Sequence, residues 1–438
     1  MNSRPGLELG WARVDITPER PTDLAGFAAR AAIGPAAEIL SRLFVRVVAL
    51  HLGERTVVLA VADMLWWGDD TVERVRDACR AAYGLDHDQL VLLGTHTHSA
   101  PQPSTRFTPG LGEPDPVWID ELVERTAEAI GVALSGRRRV TAHRRTTPYD
   151  LGVDRRHART GGAVPAAPLD QLLTVINFRA GDDVVATLFQ HACHPVVHHG
   201  NAVSADFPGA AMTAVESDGA EVALYLQGCC GNINPDRYTA DGTFHDGGLP
   251  AIEELGRALA EAVAAASTDD HPIQPRLELT RTRVDLPTEP CPDEAVLAAM
   301  AAEDDTMRAD WAQLMLRQPD RRRGAGVTLT RLELAEDLIL LGLSAEVTSP
   351  YATALREETG GRVLVLGYCH GMTGYVVTAG QLAEGGYECD EAPYWFGMPG
   401  RWAPEVEPTL LSACRAAVSG QRVRHSSGST IDSLTFSN

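Results

Sequence analysis

The sequence has little of what a nucleic-acid-binding or membrane-spanning protein needs. Its 438 residues include 59 acidic and 38 basic side chains, which leaves a formal charge of −21. Nucleic acids and anionic membrane surfaces bind basic faces, so this balance argues against both as the main partner. No apolar run reaches the length of a membrane span, and we expect no stable insertion into a bilayer.

Two further absences concern the cellular compartment. The first residues lack the basic start, the apolar stretch and the small-residue cleavage site of a secretory signal. The eight cysteines show no paired two-residue spacing of the zinc-finger type, so we expect reduced thiols. These features predict a cytoplasmic protein in which any metal site uses histidine and oxygen ligands.

Short apolar runs rich in β-branched residues intermix with amphipathic segments, without strict alternation. The runs predict buried strands at 43–50, 56–62, 90–93, 172–178, 184–189, 222–226, 338–343 and 363–366. The amphipathic segments predict helices at 70–82, 118–134, 249–266, 292–316, 350–358 and 408–418. This mixture favours a mixed α/β (α+β) fold with several sheets flanked by helices.

No internal repeat and no convincing linker divides the chain, so residues 1–424 are predicted to form one catalytic domain. The Ser-, Thr- and Gly-rich residues 425–438 are predicted to be a disordered tail. Two further stretches, residues 147–168 and 318–326, are predicted to be insertions or mobile excursions.

The first candidate site follows the apolar run 90–93, where residues 95–99 read Thr-His-Thr-His-Ser. Residues two apart in an extended segment point to the same side, so His96 and His98 are expected to face one cavity. Neutral imidazole is a common zinc ligand. Both rings could bind a metal ion, or one could bind it while the other transfers protons.

Similar signals follow other predicted strands. His194 precedes a proline, which keeps its backbone extended and presents the imidazole at the strand end. Glu346 could supply a carboxylate ligand or simply favour the start of the next helix. The Gly-rich turn 228–235 directs backbone N–H groups and the amide of Asn234 outward, as in a site that holds an oxyanion. Because each group follows a strand, we expect them to converge at one edge of the sheets.

Several neighbouring groups are interpreted as structural. His191, His198 and His199 are expected to be loop or core histidines with satisfied hydrogen bonds. Cys229 and Cys230 have no base marked beside them in the sequence, which favours small buried packing residues over a nucleophile.

With these motifs in place, the chain resembles the neutral ceramidases, the zinc amidases that release fatty acid from ceramide. The likeness extends from residues 14–18 (Val-Asp-Ile-Thr-Pro) to residues 385–388 (Gly-Gly-Tyr-Glu). Its most specific segments are residues 96–99 (His-Thr-His-Ser), 194–195 (His-Pro), 204–209 (Ser-Ala-Asp-Phe-Pro-Gly) and 231–235 (Gly-Asn-Ile-Asn-Pro).

The resemblance implies one zinc ion bound by His96, His194, Glu346 and Tyr375, with Tyr368 as the competitor for the last position. It also implies that His98 sits beside the metal and contacts substrate or moves protons.

The same resemblance places Arg155 where the family has an arginine that contacts substrate. Asp63 and Asp206 are expected to fix histidine tautomers through hydrogen bonds. Asn234, together with the backbone N–H groups of residues 231–234, is expected to hold a developing oxyanion.

The sequence departs from the ceramidases at three points. Asn234 stands where the family has the serine assigned as nucleophile, and an amide cannot carry an acyl group. We also expect no counterpart of the family's C-terminal β-sandwich domain or of its export signal. These departures weaken ceramide as the substrate without touching the metal chemistry.

The sequence therefore predicts a zinc-dependent hydrolase that cleaves the carboxamide of a small or lipid-like N-acyl substrate other than ceramide. Two alternatives keep the zinc site: an esterase, or an enzyme that transfers an acyl group to an amine. A third is a catalytically silent binding protein on the same fold. A site of the metallo-β-lactamase type is excluded, because no Asp-His follows the histidine pair at the required spacing and the chain continues with Ser-Ala at 99–100.

Overall fold

The computed structural model describes residues 6–267, 270–303 and 306–421, so the predicted tail at 425–438 lies outside the described residues. The strands are β1 (Leu7–Asp15), β2 (Glu38–Ile39), β3 (Phe44–Leu52), β4 (Arg55–Ala62), β5 (Leu90–Gly94), β6 (Arg138–Pro148), β7 (Gly152–Asp154), β8 (Leu172–Ala180), β9 (Asp183–His191), β10 (Ala202–Val203), β11 (Val222–Gln227), β12 (Ile233–Pro235), β13 (His271–Ile273), β14 (Pro275–Leu286), β15 (Ala325–Ala335), β16 (Leu338–Leu343), β17 (Glu346–Val347), β18 (Val363–Leu366) and β19 (Tyr375–Val376). The α-helices are α1 (Asp69–Tyr83), α2 (Pro116–Ser135), α3 (Arg155–Arg159), α4 (Asp206–Ser217), α5 (Gly248–Ser267), α6 (Glu294–Met300), α7 (Thr306–Arg317), α8 (Ser349–Glu358), α9 (Ala379–Glu384), α10 (Tyr387–Asp390), α11 (Ala392–Trp395) and α12 (Val406–Val418).

The mixed α+β prediction is confirmed, and all eight predicted strands are present with small shifts at their ends. The strands β1, β6, β14 and β15 were not predicted, because polar or charged residues interrupt the apolar pattern of each. No helix among the described residues is both long and apolar enough to cross a bilayer.

The single helix predicted over 292–316 is wrong, because the chain forms the two helices α6 and α7 there. At the end of α6 the N–H groups of Ala302 and Glu303 bond three residues back, to the carbonyls of Ala299 and Met300. That tighter winding ends an α-helix.

The predicted excursion at 147–168 is also more ordered than expected. It contains β7 and α3, and the side chain of Arg155 within it is only 4% exposed. Strand β7 pairs with β12, which fixes this segment beside the Gly-rich turn.

Two large sheets form the centre of the molecule. The nine-stranded sheet has the order β11-β9-β8-β6-β1-β3-β4-β5, with β13 paired to β6. The four-stranded sheet has the order β14-β15-β16-β18. Apolar side chains from both sheets, such as Leu59, Leu188, Leu340 and Leu364, share one buried cluster, so the sheets pack face to face.

Helices cover the outer faces of this sandwich. The helices α1 and α2 pack on β3 and β4 through residues such as Val75 and Ile130. Further along the same outer face, α4 and α5 cover β9 and β11, while α8 and α12 cover the four-stranded sheet from the opposite side. The layers therefore run helix, sheet, sheet, helix.

The parallel strand pairs decide where the site lies. Strand β5 runs parallel to β4, β11 to β9, and β18 to β16. Bridges from Leu93 to Cys369 and from Gly228 to Leu366 join the ends of these pairs across the two sheets. The segments that leave the carboxyl ends of β5, β9, β11, β16 and β18 are thereby brought together.

Candidate functional site

Three buried histidines meet at these strand ends. Ligand nitrogen atoms of His96, His98 and His194 all lie within 4.8 Å of one another. The Nε2 atoms of His96 and His98 are 3.2 Å apart. The predicted convergence of strand ends is therefore confirmed for these residues, and the group could hold a metal ion.

His96 reaches this position through an uncommon backbone conformation. Its φ of 71° lies in the left-handed region, which is costly for a residue with a side chain. The N–H group of His96 bonds to the carbonyl of Met64 at 2.9 Å, which holds the turn at the end of β5. Such a conformation persists only where the surroundings determine it strongly.

The tautomer of each ring follows from its hydrogen bond to the backbone. Each ring turns its Nδ1 atom toward a carbonyl oxygen, at 3.0 Å from Leu65 for His96, 3.0 Å from Ile233 for His194 and 3.2 Å from Gly26 for His98. A carbonyl oxygen only accepts, so Nδ1 carries the proton in each case. The Nε2 lone pairs of the neutral rings therefore point at one another, as they do around a metal ion.

Glu346 adds a carboxylate to the three imidazoles. Its Oε1 atom lies 2.6 Å from His194 Nε2 and 3.2 Å from His96 Nε2. Burial alone would raise the pKa of Glu346, but positive charge at His96 and His194 outweighs it and holds the pKa well below its usual value. A proton on an imidazole, or a bound cation in its place, supplies that charge. The carboxyl group is therefore ionised.

The histidines, in contrast, resist protonation. Burial lowers the pKa of His194 to about 4, and the charge of Arg155 acts in the same direction. Burial, together with His96 and His194, also holds the pKa of His98 well below 6.5. Neutral imidazoles and an ionised carboxylate are the forms that bind a metal ion.

The donor set fits a divalent cation. Three Nε2 atoms and a carboxylate oxygen share one small buried space. The guanidinium of Arg155 lies beside them, with its Nη1 atom 3.3 Å from His194 Nε2. Lone pairs that face one another at these distances repel unless a cation lies between them. Nitrogen and carboxylate ligands together suit zinc.

The two competing tyrosines occupy different places around this group. Tyr375 in β19 pairs in register with Glu346 in β17, and its ring lies 5.2 Å from the guanidinium carbon of Arg155. Tyr368 stacks on the ring of His96 with centroids 4.0 Å apart, and its hydroxyl lies 3.0 Å from Cys230 Sγ. The Tyr368 hydroxyl is thus already engaged away from the imidazole nitrogens.

Arg155 is held in place by Glu388, a residue that sequence reasoning missed. The Nε and Nη2 atoms of Arg155 lie 2.9 Å and 2.8 Å from Glu388 Oε1, and both side chains are almost fully buried. The second carboxylate oxygen accepts a hydrogen bond from Arg156 at 2.7 Å. A glutamate so far along the chain carries no sequence signal that would link it to Arg155.

The Gly-rich turn meets the expectations only in part. The N–H groups of Gly231 and Ile233 bond to the carbonyls of Val347 and Cys230, at 3.0 Å and 2.8 Å, so neither is free to hold an oxyanion. The prediction for these two groups is wrong because the turn uses them to join β12 to its surroundings. The amide of Asn234 does reach the cavity, and its Oδ1 atom is buried without a hydrogen-bond partner.

The two aspartates expected to orient histidines do not contact their rings. Asp63 binds Arg46 at 3.1 Å and the N–H group of Phe44 at 3.0 Å. Asp206 accepts hydrogen bonds from the N–H groups of Val197 and His198. Backbone carbonyls orient the imidazoles instead, and a carbonyl oxygen leaves no trace in a sequence.

The groups interpreted as structural lie outside the histidine group. His191 turns its Nδ1 atom to the carbonyl of Leu172, and His198 lies 3.5 Å from Asp246. Burial raises the pKa of Cys229 and of Cys230 well above the usual thiol value, so both stay protonated and unreactive.

A cavity of about 390 Å³ adjoins the site. His98, Arg155 and Tyr375 are among its lining residues, and much of the remaining wall is apolar: Phe27, Leu111, Val196, Phe244, Tyr387 and Trp395. Its size is at the small end of the range for small-molecule sites. A larger open depression of about 1190 Å³ surrounds Asn177 and Asp270, away from every predicted site residue.

With this geometry in place, comparison with known proteins is informative. A neutral ceramidase structure from Pseudomonas aeruginosa superimposes with a TM-score of 0.76, covering 97% of this chain and 76% of that one at 17% identity. A structure described as a ceramidase complexed with C2 matches with a TM-score of 0.77, covering 97% of this chain and 77% of that one at 16% identity. The chain has the neutral ceramidase fold.

The neutral ceramidase fold is thus established by structural superposition. At 17% and 16% sequence identity, these comparisons show a shared fold and not a shared activity. No family model and no curated protein sequence matches the chain. The expectation of a neutral-ceramidase-like architecture, drawn from the histidine and Gly-rich motifs, is confirmed.

Proposed function

We propose that the protein is a zinc-dependent amidohydrolase that cleaves the carboxamide of an N-acyl compound. The observation that supports this most is the convergence of neutral Nε2 atoms on the ionised carboxylate of Glu346. The neutral ceramidase fold supports the same reaction class, since a solved structure with that fold is named a ceramidase.

In this proposal His96, His194, Glu346 and Tyr375 hold one zinc ion. Tyr375 is preferred to Tyr368 because it lies in register with Glu346, whereas the Tyr368 hydroxyl contacts Cys230. Zinc bound there would supply a Lewis acid that polarises the scissile carbonyl and lowers the pKa of water.

His98 is the proposed proton carrier. It lines the cavity, and burial holds its pKa well below 6.5, so the ring is neutral at rest. It would take up the proton of the attacking water only transiently and pass it on to the amine. Hydrolysis breaks the C–N bond, places the hydroxyl of water on the acyl carbon and returns a proton to the departing amine. Without that proton the amine leaves poorly.

Arg155 and Asn234 are proposed to hold the carbonyl oxygen as it gains negative charge. Arg155 is a buried cation at the cavity wall, positioned by Glu388. Asn234 Nδ2 donates to the hydroxyl of Tyr238 at 2.9 Å. The Tyr238 hydroxyl can also act as a donor. If the Asn234 amide is rotated by half a turn, its Oδ1 atom accepts a hydrogen bond from that hydroxyl and its N–H₂ group faces the cavity. One such donor contributes roughly 3 kcal/mol to the transition state.

The proposal that water attacks the carbonyl directly follows from Asn234. An amide cannot form an acyl-enzyme, and burial keeps the thiols of Cys229 and Cys230 protonated. Direct attack by water is therefore the proposed step.

The experiment is a hydrolysis assay on purified full-length protein with matched amides and esters of one acyl group. Zinc content is measured in the wild type, in His96→Ala and in His271→Ala, an exposed histidine on β13 that serves as the control. We expect amide cleavage and bound zinc in the wild type and the control, and loss of both in His96→Ala. Ester cleavage alone would favour the esterase alternative, amide synthesis would favour acyl transfer, and no turnover at full zinc occupancy would indicate a silent binding protein.

A further inference from the structure

The arginines of α3 are unequally paired with the carboxylates near them. Glu388 lies 2.8 Å from Arg155, 2.7 Å from Arg156 and 3.8 Å from Arg159. The other carboxylate in this cluster is Glu384, which lies 3.1 Å from Arg156. Three guanidinium groups therefore share these two carboxylates, with Glu346 acting in addition on Arg155, and the arginine left with only a distant partner is Arg159.

The most weakly paired of the three arginines is Arg159. Arg155 and Arg156 are buried and make close, hydrogen-bonded contacts with Glu388. Arg159 meets that carboxylate only at 3.8 Å, and its side chain remains 44% exposed. An arginine at this distance keeps most of its donors available to another anion.

Arg159 also lines the cavity next to the histidine group. Among the described residues that line this cavity, none is acidic, although the whole chain carries a formal charge of −21. Apolar surfaces of Phe27, Leu111 and Trp395 form other parts of the wall. The cavity therefore combines an apolar lining, the residues proposed to act in hydrolysis, and the weakly paired guanidinium of Arg159.

We propose that the substrate is an N-acyl amino acid or a close relative, whose carboxylate binds Arg159 while its acyl chain lies on the apolar wall. The inference rests on the proposed amide hydrolysis and specifies its substrate class. An uncharged amide such as ceramide has no anionic group to pair with the Arg159 guanidinium. The small volume of the cavity, about 390 Å³, also suits one short chain better than a two-chain lipid.

Binding tests this inference independently of turnover. The probe is the ketone analogue of N-octanoylglycine, in which a methylene replaces the amide N–H, so that no hydrolysis can occur. Its matched partner has a primary amide in place of the carboxylate. Isothermal titration with the zinc-loaded full chain is expected to show the acid binding at least tenfold more tightly, which corresponds to about 1.4 kcal/mol.

The variant Arg159→Gln keeps a polar side chain at this position but removes the guanidinium and its charge. We expect it to reduce the preference for the acid to less than threefold. The control is Arg257→Gln, an exposed arginine on α5 with a weak ion pair, which should keep the wild-type preference. Equal affinity for acid and amide in the wild type, or an unchanged preference in Arg159→Gln, would overturn the inference.

Kinetics separate this inference from the proposed function. N-octanoylglycine and N-octanoylglycinamide are compared as substrates, and Arg159→Gln is expected to lower kcat/KM at least tenfold more for the acid than for the amide. Hydrolysis of both compounds without preference would refute the carboxylate site and leave amide hydrolysis standing. Selective binding of the acid without any hydrolysis would support the carboxylate site and refute amide hydrolysis.

Discussion

The carboxylate of Glu346 lies 2.6 Å from the Nε2 atom of His194, whose opposite nitrogen already donates to the carbonyl of Ile233. The imidazole therefore turns its lone pair, not a proton, toward a negative charge. A pair of acceptors at this distance is stable when a cation joins them. This relationship is the basis of the metal site proposed above.

Replacing Glu346 by Gln should weaken metal binding while the fold is retained. Gln keeps the shape of the side chain but removes its charge, so we expect zinc affinity to fall by at least about tenfold. Competition with a chelator of known affinity measures the loss. Glu358→Gln, which removes a carboxylate paired with Arg415 on the surface, is the control and should bind zinc as the wild type does. Unchanged affinity in Glu346→Gln would remove this residue from the ligand set.

Replacing His98 by Gln should separate proton transfer from metal binding. If His98 carries protons, the variant keeps its zinc and loses about 10²-fold or more in kcat. Metal analysis and steady-state kinetics on the same preparation distinguish a loss of proton transfer from a loss of zinc. Because His98 Nε2 lies 3.2 Å from His96 Nε2, a variant that loses its zinc would instead make His98 a third imidazole ligand.

Tyr375→Phe and Tyr368→Phe form a matched pair that distinguishes the two candidate phenol ligands. We expect Tyr375→Phe to lower zinc affinity, because Tyr375 pairs in register with Glu346 and the substitution removes its hydroxyl. Tyr368→Phe removes only a contact with Cys230, so it should keep its zinc and cost about 1 kcal/mol of stability or less. The reverse pattern in a chelator titration would make Tyr368 the ligand.

Much of the site could be predicted from the sequence, because its residues follow recognisable strands. His96, His194 and Glu346 each come after an apolar run, and parallel pairing brings those ends together. The orientation of the rings could not be predicted, since it depends on backbone carbonyls such as those of Leu65 and Ile233. These carbonyls exist at every residue, and only the folded chain selects them.

The fold was predictable to a similar depth. The buried strands that are continuous apolar runs were found, whereas β1, β14 and β15 were missed because polar or charged residues interrupt their apolar pattern. The partner of Arg155 was also missed. Glu388 lies 233 residues further along the chain, and its place beside Arg155 is decided by how the loops pack.

The buried carboxyl group of Asp206 should make the stability of the fold depend on pH. Burial raises its pKa from 3.8 to about 7, although three backbone N–H groups bond to the carboxylate. Between about pH 4 and about pH 7 the folded chain therefore holds a proton that the unfolded chain has released. The stabilisation is complete at the acid end of this window and is lost as the pH rises through it.

Asp206→Asn removes this titration, so its free energy of unfolding should fall less than that of the wild type as the pH rises through the window. Each unit of pKa displacement corresponds to about 1.4 kcal/mol. Urea unfolding at several pH values measures the difference. Asp218→Asn, at the exposed end of the same helix, should follow the wild type. Parallel profiles for the wild type and Asp206→Asn would contradict this assignment.

The most direct test of the central claim is amide hydrolysis by the full-length protein before zinc removal, after it, and after zinc is restored. The account predicts one zinc ion per chain, loss of amide cleavage on chelation and its return with stoichiometric zinc. Amide cleavage that continues unchanged in metal-free protein would contradict the account.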